Sequence, residues 1–332
     1  MKVEELHAVT ACTALAAAIH GACFAQSPRL DAAADYPSRV IRLVVPSAPG
    51  GGTDLIARSI AARVSQVPRQ SMVVENISGG ATTIGINTVA RSAPDGHTML
   101  LTTVNFAFLP AIYPKLPYDP KSDLAAVVMV ATQSSMVATH PSLPVRTVAE
   151  LIALARKRPG EIRYGSGGSG SVGHLSAELF RSMAGITLLH VPYKGNGPVL
   201  TALVSGELHM TITNIAAMMP HVKSGRLRAL AVTSTTRSAI LPALPTVNES
   251  GLPGYEYTGW YGVWVAAKTP DALVRRINEE LNRALKDAIL RERFLEVGIE
   301  PQGGSSEKFA AYLAAEFTKW AQVAREANIG LE

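Results

Sequence analysis

Residues 40–67 have the sequence VIRLVVPSAPGGGTDLIARSIAARVSQV, and this stretch decides the fold class. The apolar run Val40–Val45 is typical of a buried β-strand. From Thr53 to Val67, apolar residues recur at the three- and four-residue spacing of an amphipathic helix. Between the strand and the helix stand two prolines and three consecutive glycines. A strand, a glycine-rich loop and a helix in this order predict one βα unit of an α/β protein.

The same alternation continues along the chain and predicts an α/β fold with mostly parallel strands. The further predicted strands are Met72–Glu75, Thr98–Thr103, Ala126–Ala131, Met136–Thr139, Ile162–Gly165, Thr187–Pro192, Leu208–Thr213, Leu227–Thr233 and Gly259–Ala267. The further predicted helices are Thr82–Ser92, Val148–Arg158, Val172–Met183, Pro198–Ser205, Pro270–Lys286 and Ser306–Ala327.

The last two predicted helices are too few to form a lobe of their own. We therefore expect them to pack on the first series of βα units. This predicts a discontinuous lobe one, residues 36–130 plus 235–332, and a lobe two, residues 131–234. In open α/β sheets, ligands bind beyond the carboxyl ends of the strands, which here predicts a cleft between the lobes.

Residues 1–25 are predicted to be a signal peptide, because Ala8–Ile19 is an apolar, alanine-rich stretch followed by small residues. Both cysteines, Cys12 and Cys23, lie in this segment, so the mature chain would contain neither a disulfide nor a reactive thiol. Lipidation of Cys23 is the alternative, but His20 stands where a lipobox has leucine. The segment predicts a periplasmic protein.

Charge argues against a nucleic-acid partner. The 332 residues carry 31 Lys and Arg against 26 Asp and Glu, a formal net charge of +5. This excess is spread along the chain without the basic block that marks nucleic-acid binding. It is compatible with the attraction of small anions.

The loop between the first strand and the first helix is predicted to bind an anion. Glycines turn backbone N–H groups inward, and the start of a helix adds unpaired N–H donors with partial positive charge. Thr53 is the expected N-cap, and Asp54 stands in the first turn, where a purely stabilising role is the slightly favoured alternative. The candidate binding residues of this loop are Ser47, Gly50, Gly51, Gly52, Thr53 and Asp54.

A second glycine-rich loop, Tyr164–His174, again joins a strand to a helix. It contains a formal G-x-G-x-x-G, but a dinucleotide site needs an acidic residue at the end of the next strand. That predicted strand ends at Pro192 and no acidic residue follows it until Glu207, so the dinucleotide interpretation fails. The Gly-Lys-Ser/Thr of a phosphate-binding P-loop and the G-x-S-x-G of a hydrolase are also missing. The histidines have no metal-ligand spacing. We therefore predict no catalytic residue, cofactor or metal. The candidate binding residues here are Ser166, Ser169, Gly170, Ser171 and His174, a structural role being favoured for the histidine.

Two shorter loops are expected to face the same cleft. The first precedes a predicted helix and contributes Gly80, Ala81 and Thr82. The second follows a strand of lobe two and contributes Tyr193 and Lys194. Lys194 is a candidate partner for a carboxylate, although most lysines at loop tips are simply solvated.

At these loops the chain resembles the Bug family, the extracytoplasmic solute receptors of tripartite tricarboxylate transporters. The similar segments occur in the family's order from Tyr36 to about Pro301 and include VVPSAPGGGTDLIAR (44–58), VENISGGATTIG (74–85), YGSGGSGSVGHLSAELF (164–180) and HVPYKGNGPVL (190–200). The resemblance implies a type II periplasmic-binding-protein fold without catalytic activity. It also implies a monomer that binds a small carboxylate and delivers it to a two-component membrane permease.

The resemblance further implies that backbone amides of the glycine-rich loops hold one carboxylate of the ligand. One departure concerns Thr213-Asn214, where many relatives have an Asp-Asn pair. We expect the variable end of the ligand to meet a hydroxyl there, with Asn214 as a further binding residue. A periplasmic sensory receptor, or an enzyme on a binding-protein scaffold, are the alternatives that the sequence leaves open.

Overall fold

A computed structural model describes residues 36–68, 70–113, 115–168, 171–238 and 241–326. The predicted signal peptide and two predicted site residues, Ser169 and Gly170, lie outside these residues. In chain order, the described strands are β1 (Ile41–Val45), β2 (Met72–Asn76), β3 (Thr98–Thr103), β4 (Leu124–Thr139), β5 (Arg163–Ser166), β6 (Leu189–Pro192), β7 (Met210–Asn214), β8 (Arg228–Val232), β9 (Thr258–Ala266) and β10 (Glu300–Pro301).

The described helices are α1 (Gly52–Val64), α2 (Thr83–Ala90), α3 (Asn105–Ile112), α4 (Val148–Lys157), α5 (Val172–Ala184), α6 (Asn196–Val204), α7 (Ile215–Lys223), α8 (Asp271–Leu285), α9 (Ala288–Glu296) and α10 (Ser306–Glu326). Helices α3, α7 and α9 were not predicted. Pro110 lies inside α3 and Pro220 inside α7, and an internal proline counts against a helix in a sequence pattern.

The strands form a mixed sheet in the order β2-β1-β3-β9-β4-β7-β5-β6, with β8 and β10 also paired to β4. Parallel pairs are β1 with β2 and β3, and β5 with β6 and β7. Strands β9 and β4 are antiparallel to their neighbours, so the expectation of mostly parallel strands is wrong. The α/β class itself is confirmed.

Strand β4 divides this sheet into two parts. Its residues Leu124–Ser134 pair with β9, and Ser135–Thr139 pair with β7. We name the β2-β1-β3-β9 side the first sheet and the β7-β5-β6 side the second sheet. The sequence predicted two separate strands here, because polar residues at 132–135 interrupt the apolar pattern. The structure corrects this to one 16-residue strand shared by both sheets.

Several helices begin at residues whose side chains accept the unpaired N–H groups of the first turn. Thr147 caps α4 by accepting from the amide of Glu150, and Ser171 caps α5 by accepting from the amide of His174. Asn214 caps α7 in the same way. Gly185 then ends α5 in the left-handed conformation, at φ 58°, which glycine adopts without steric cost.

An aromatic cluster packs α10 against the first sheet. The ring centroids of Trp264 and Phe309 lie 5.1 Å apart, and Trp320 meets Phe108 of α3 edge-on at 5.8 Å. Inside this cluster the buried carboxylate of Glu316 accepts hydrogen bonds from the indole N–H groups of Trp260 (2.8 Å) and Trp320 (3.0 Å). The polar atoms of the large indoles are therefore satisfied although their rings are buried.

Candidate functional site

The carboxyl ends of the parallel strands in both sheets approach the middle of β4. Thr103, the last residue of β3, pairs with Tyr261 of β9, which pairs with Ala131 of β4. Asn214, the last residue of β7, pairs with Ser135. Ala131 and Ser135 are four residues apart, about 13 Å along a strand. The loops predicted to bind the ligand follow the parallel strands of the first sheet and of the second sheet.

The N-terminus of α1 presents backbone amides to this region. Gly51 is the N-cap residue, and its backbone is extended (φ −81°, ψ 171°) with no side-chain cap among the described residues. The prediction that Thr53 caps the helix is wrong, because the helix already begins at Gly52. The loop residues Gly50–Gly52 are exposed. Uncapped amides with the partial positive charge of the helix dipole are suited to an anion.

The buried side chain of Asp54 stabilises the loop before α1. Only 3% of the residue is exposed, and its carboxylate accepts from the Gly50 amide (3.0 Å), Arg58 Nε (2.9 Å) and Asn76 Nδ2 (3.0 Å). The hydrogen bond from Arg58, with those from Gly50 and Asn76, lowers the pKa of Asp54 to about 2. The side chain of Asn76 also donates to the carbonyl of Ser47 (3.1 Å). Asp54 thus stabilises the conformation of the loop. The Gly50 amide is engaged in this contact, donating to the Asp54 carboxylate.

The loop before α2 is strained. Gly79, Gly80, Ala81 and Thr82 all have positive φ, with values of 124°, 54°, 50° and 84°. A positive φ is costly for alanine and more so for a β-branched threonine. The Oγ1 atom of Thr82 is buried and has no hydrogen-bond partner among the described residues. Backbone strain of this kind and buried unpaired hydroxyl groups are both found more often at functional sites. These two features mark the loop as a candidate contact for a ligand.

Tyr261 and Gln133 were not predicted, and they lie where the two sheets meet. The phenol of Tyr261 donates to Gln133 Oε1 (3.0 Å), and a Cβ built on Gly52 would lie 3.4 Å from the Tyr261 Oη. Burial raises the pKa of Tyr261 to about 12, so the phenol remains a donor at neutral pH. Gln133 lies on the same face of β4 as Ser135, the partner of Asn214. The polar run at 132–135 inside an apolar strand was the signal in the sequence.

In the second sheet the predicted loops contact one another. The amide of Tyr193 donates to the Ser166 carbonyl (2.9 Å), and the amide of Gly195 donates to the Gly167 carbonyl (3.2 Å). The Tyr193 phenol, however, donates to Glu207 (3.0 Å). Lys194 is exposed. The backbone of this segment, more than its side chains, borders the glycine-rich loop.

His174 and an unpredicted histidine, His190, form a stack beside the glycine-rich loop. His190 lies between the ring of Tyr164 (4.7 Å between centroids) and the ring of His174 (4.4 Å). Its Nε2 is 2.6 Å from the Ser166 hydroxyl. No motif in the sequence marks His190, because its neighbours in space come from another strand and from a helix.

The side-chain oxygen of Asn214 is engaged in a hydrogen bond within the protein. This oxygen accepts from the amide of Ala217 (2.9 Å) and caps α7. The neighbouring Thr213 hydroxyl is buried without a hydrogen-bond partner among the described residues. The side-chain nitrogen of Asn214 is the part of this residue that remains suited to a ligand contact.

A separate groove of about 430 Å³ lies between α10 and the beginning of β4, and its lining includes Lys121, Trp264 and Phe317. It shares no residue with the predicted site. Within the part of the chain that the structure describes, no three His, Cys, Asp or Glu side chains form a potential metal site. No helix there is long and apolar enough to cross a membrane.

The family model TctC, tripartite tricarboxylate transporter family receptor, matches residues 56–329. Protein BugT of Bordetella pertussis is 35% identical over 299 residues, which are 90% of this chain and 92% of BugT.

Two solved structures are similar to this chain. R. palustris Rpa4515 with adipate is 39% identical, with a TM-score of 0.76 over 90% of this chain and 100% of that one. The periplasmic binding protein BugD is 30% identical, with a TM-score of 0.73 over 89% of this chain and 100% of that one. These likenesses confirm the periplasmic-binding-protein fold. The chain therefore belongs to the TctC family of tripartite tricarboxylate transporter receptors, a family of solute-binding proteins and not of enzymes.

Proposed function

We propose that this chain is a periplasmic receptor that captures a small dicarboxylate and delivers it to the membrane components of a tripartite transporter. The observation that carries the proposal is the uncapped N-terminus of α1, which lies beside Tyr261 where the two sheets meet. A relative 39% identical to this chain has adipate bound in its structure. The shared fold and the sequence identity over 90% of this chain support a similar ligand here.

The chemistry of the site suits a carboxylate. Helix N-termini stabilise an anion by about 0.3–1 kcal/mol each, and by more where the site is partly buried. The Tyr261 phenol stays protonated and donates to Gln133, so it brings no negative charge to the site. The negative charge of Asp54 is compensated by Arg58 beneath the loop. A ligand carboxylate thus meets donors at α1 without a competing unpaired acid from this loop. The exposed backbone amides at the start of α1 are thus suited to hold a carboxylate.

We also propose that the two sheets are the cores of two lobes, residues 36–130 plus 235–332 and residues 131–234. Support comes from β4, in which the pairing partner changes between Ser134 and Ser135. The return crossing lies between β8 and β9, where the Tyr257 amide donates to the Thr233 carbonyl (2.9 Å). Two such crossings allow hinge closure around a ligand.

The proposal is tested by thermal unfolding and calorimetry with a panel of mono-, di- and tricarboxylates that includes adipate. A ligand present at 100 times its dissociation constant should stabilise the protein by about 2.7 kcal/mol. If no member of the panel shifts unfolding or gives heat, the proposed function is wrong.

The variant Gly51→Val locates the site. A Cβ at Gly51 would have the Ala48 carbonyl oxygen, at 3.9 Å, as its nearest neighbour, so the fold tolerates the side chain. The branched side chain would cover the exposed amides of the loop and should weaken adipate binding at least tenfold. Ala288→Val, an exposed residue at the beginning of α9, is the matched control and should bind like wild type. Equal affinities of the two variants would move the site away from α1.

A further inference from the structure

Gln133 lies at the point where β4 leaves the first sheet for the second. It pairs with Gly259 of β9, while Ser135, two residues along on the same face, pairs with Asn214 of β7. Because glycine has no side chain, Gln133 is not covered from the directly opposite position. The residue is half-buried. Its amide group therefore lies where the two sheets meet.

Tyr261 fixes the direction in which the Gln133 amide donates. The Tyr261 phenol donates to Gln133 Oε1 (3.0 Å). Burial raises the pKa of this phenol to about 12, so it keeps its proton at neutral pH and remains a donor. With Oε1 engaged as the acceptor, the Nε2 group has no hydrogen-bond partner among the residues that the structure describes. This nitrogen is not buried, so it is available to donate to a ligand.

The same phenol connects this amide to the N-terminus of α1. A Cβ built on Gly52 would lie 3.4 Å from Tyr261 Oη. Gln133 is therefore one hydrogen bond away from a group that lies beside the first residue of α1, where the exposed amides are suited to an anion. A carboxylate has two acceptor oxygens. The α1 amides suit one of them, and the Gln133 NH2 group suits the other.

The donors at this site are not accompanied by an unpaired acid. Asp54 is the one acidic residue among the predicted binding residues. Its carboxylate is buried, pairs with Arg58 (2.9 Å) and accepts from the Gly50 amide and from Asn76. An ammonium group has three donors and no acceptor. An ammonium next to the bound carboxylate would therefore face backbone amides and the Gln133 NH2 group, and no predicted binding residue would supply a free acid to compensate its charge.

We propose that Gln133, oriented by Tyr261, is a specificity-determining residue that selects dicarboxylates without an α-ammonium group over the corresponding amino acids. This inference rests on the proposed function, because it requires a carboxylate at the start of α1. Gln133 Nε2 donates to that carboxylate. Tyr261 is a positioning residue that acts through Gln133. One hydrogen bond to a charged group is enough for a difference in affinity of about 10- to 100-fold.

The test is calorimetry at pH 7.5 with two matched pairs of ligands, glutarate with glutamate and adipate with 2-aminoadipate. The members of each pair differ by one α-ammonium group. The proteins are wild type, Gln133→Glu and the control Gln302→Glu. Gln302 is exposed and donates to the hydroxyl of Thr132 (2.8 Å), which is next to Gln133 in β4 but on the opposite face. The control therefore adds the same charge beside the same strand, away from the site.

Wild type should bind each dicarboxylate at least about tenfold more tightly than the amino acid of its pair. In Gln133→Glu, one carboxylate oxygen still accepts from Tyr261, and the other repels a ligand carboxylate and accepts from an ammonium. The preference for the dicarboxylate should therefore fall at least about tenfold in Gln133→Glu and stay within about threefold of wild type in Gln302→Glu. An unchanged preference in Gln133→Glu, an equal change in both variants, or a wild type that prefers the amino acids overturns the inference.

Two further variants separate the lost donor from the added charge. Gln133→Met keeps the length of the side chain without its NH2 group and should bind adipate about tenfold more weakly than wild type. Tyr261→Phe keeps Gln133 but removes the phenol that orients it, so the preference for adipate over 2-aminoadipate should fall about threefold or more. Cooperative urea unfolding shows that each variant is folded. Wild-type affinity for adipate in Gln133→Met overturns the inference even where Gln133→Glu does not fold.

The failure of this inference is distinct from the failure of the proposed function. If wild type binds a dicarboxylate and the preferences do not change in the Gln133 variants, the role of Gln133 alone is wrong. If wild type binds neither pair of ligands nor any other carboxylate of the panel, the proposed function is wrong as well.

Discussion

Replacing Asp54 by Asn tests the network beneath the α1 loop. The carboxylate accepts three hydrogen bonds, two on Oδ2 and one on Oδ1. An asparagine has one acceptor oxygen. If this oxygen serves Gly50 and Arg58, the new NH2 group faces the NH2 of Asn76. Asn76 resists turning over, because its amide oxygen accepts from Arg58 (3.1 Å) and its nitrogen donates to Ser47.

The magnitude follows from two overlapping contributions. The lowered pKa of Asp54 corresponds to about 2 kcal/mol of stability, which solvent screening at the half-exposed Arg58 reduces to about 1 kcal/mol. A buried donor that faces another donor costs about 1–3 kcal/mol. We therefore expect Asp54→Asn to lower the free energy of unfolding by about 2 kcal/mol at pH 7.

Urea unfolding between pH 7 and pH 2 measures this difference. Because the folded-state pKa of Asp54 lies below its ordinary value, the stabilisation is present above about pH 4 and is lost as the pH falls toward 2. The free energy of unfolding of wild type should thus exceed that of the variant at pH 7, and the two values should converge near pH 2. Asp271→Asn, an exposed carboxylate in the first turn of α8, should change stability by less than about 0.5 kcal/mol. Equal losses in the two variants, or a difference that grows on acidification, would refute the reasoning.

Two further substitutions probe the core and the strained loop. Glu316→Leu removes the common acceptor of Trp260 and Trp320 and should destabilise the protein by about 3–5 kcal/mol in urea unfolding. The exposed Glu307→Leu on the same helix should cost less than about 1 kcal/mol, and a similar cost for both variants would contradict the buried network. Thr82→Gly relieves a φ of 84° and should leave stability unchanged or raise it by about 1 kcal/mol, while weakening adipate binding. Thr88→Gly within α2 should lose about 1 kcal/mol, and the same loss at position 82 would remove the argument for strain.

The local features of the site were predictable from the sequence. The order strand, glycine-rich loop and helix predicted an exposed helix N-terminus after Val45, and the structure has one at Gly51–Gly52. The hydroxyl at Ser171 caps the next such helix. Where the prediction failed, the error was also local. Thr53 is a good capping residue, but Gly51 already adopts the cap conformation.

The sequence by itself determined the βα units, the glycine-rich loops at the carboxyl ends of their strands, and the absence of nucleotide and hydrolase motifs. These depend on residues within a dozen positions of one another. Only the tertiary structure decided that β4 is one strand shared by both sheets, and that Gln133 meets Tyr261, 128 residues away. It also decided that His190 lies between Tyr164 and His174. Such pairs depend on strand order and register, which are set by the packing of the whole sheet and leave no fixed spacing along the chain.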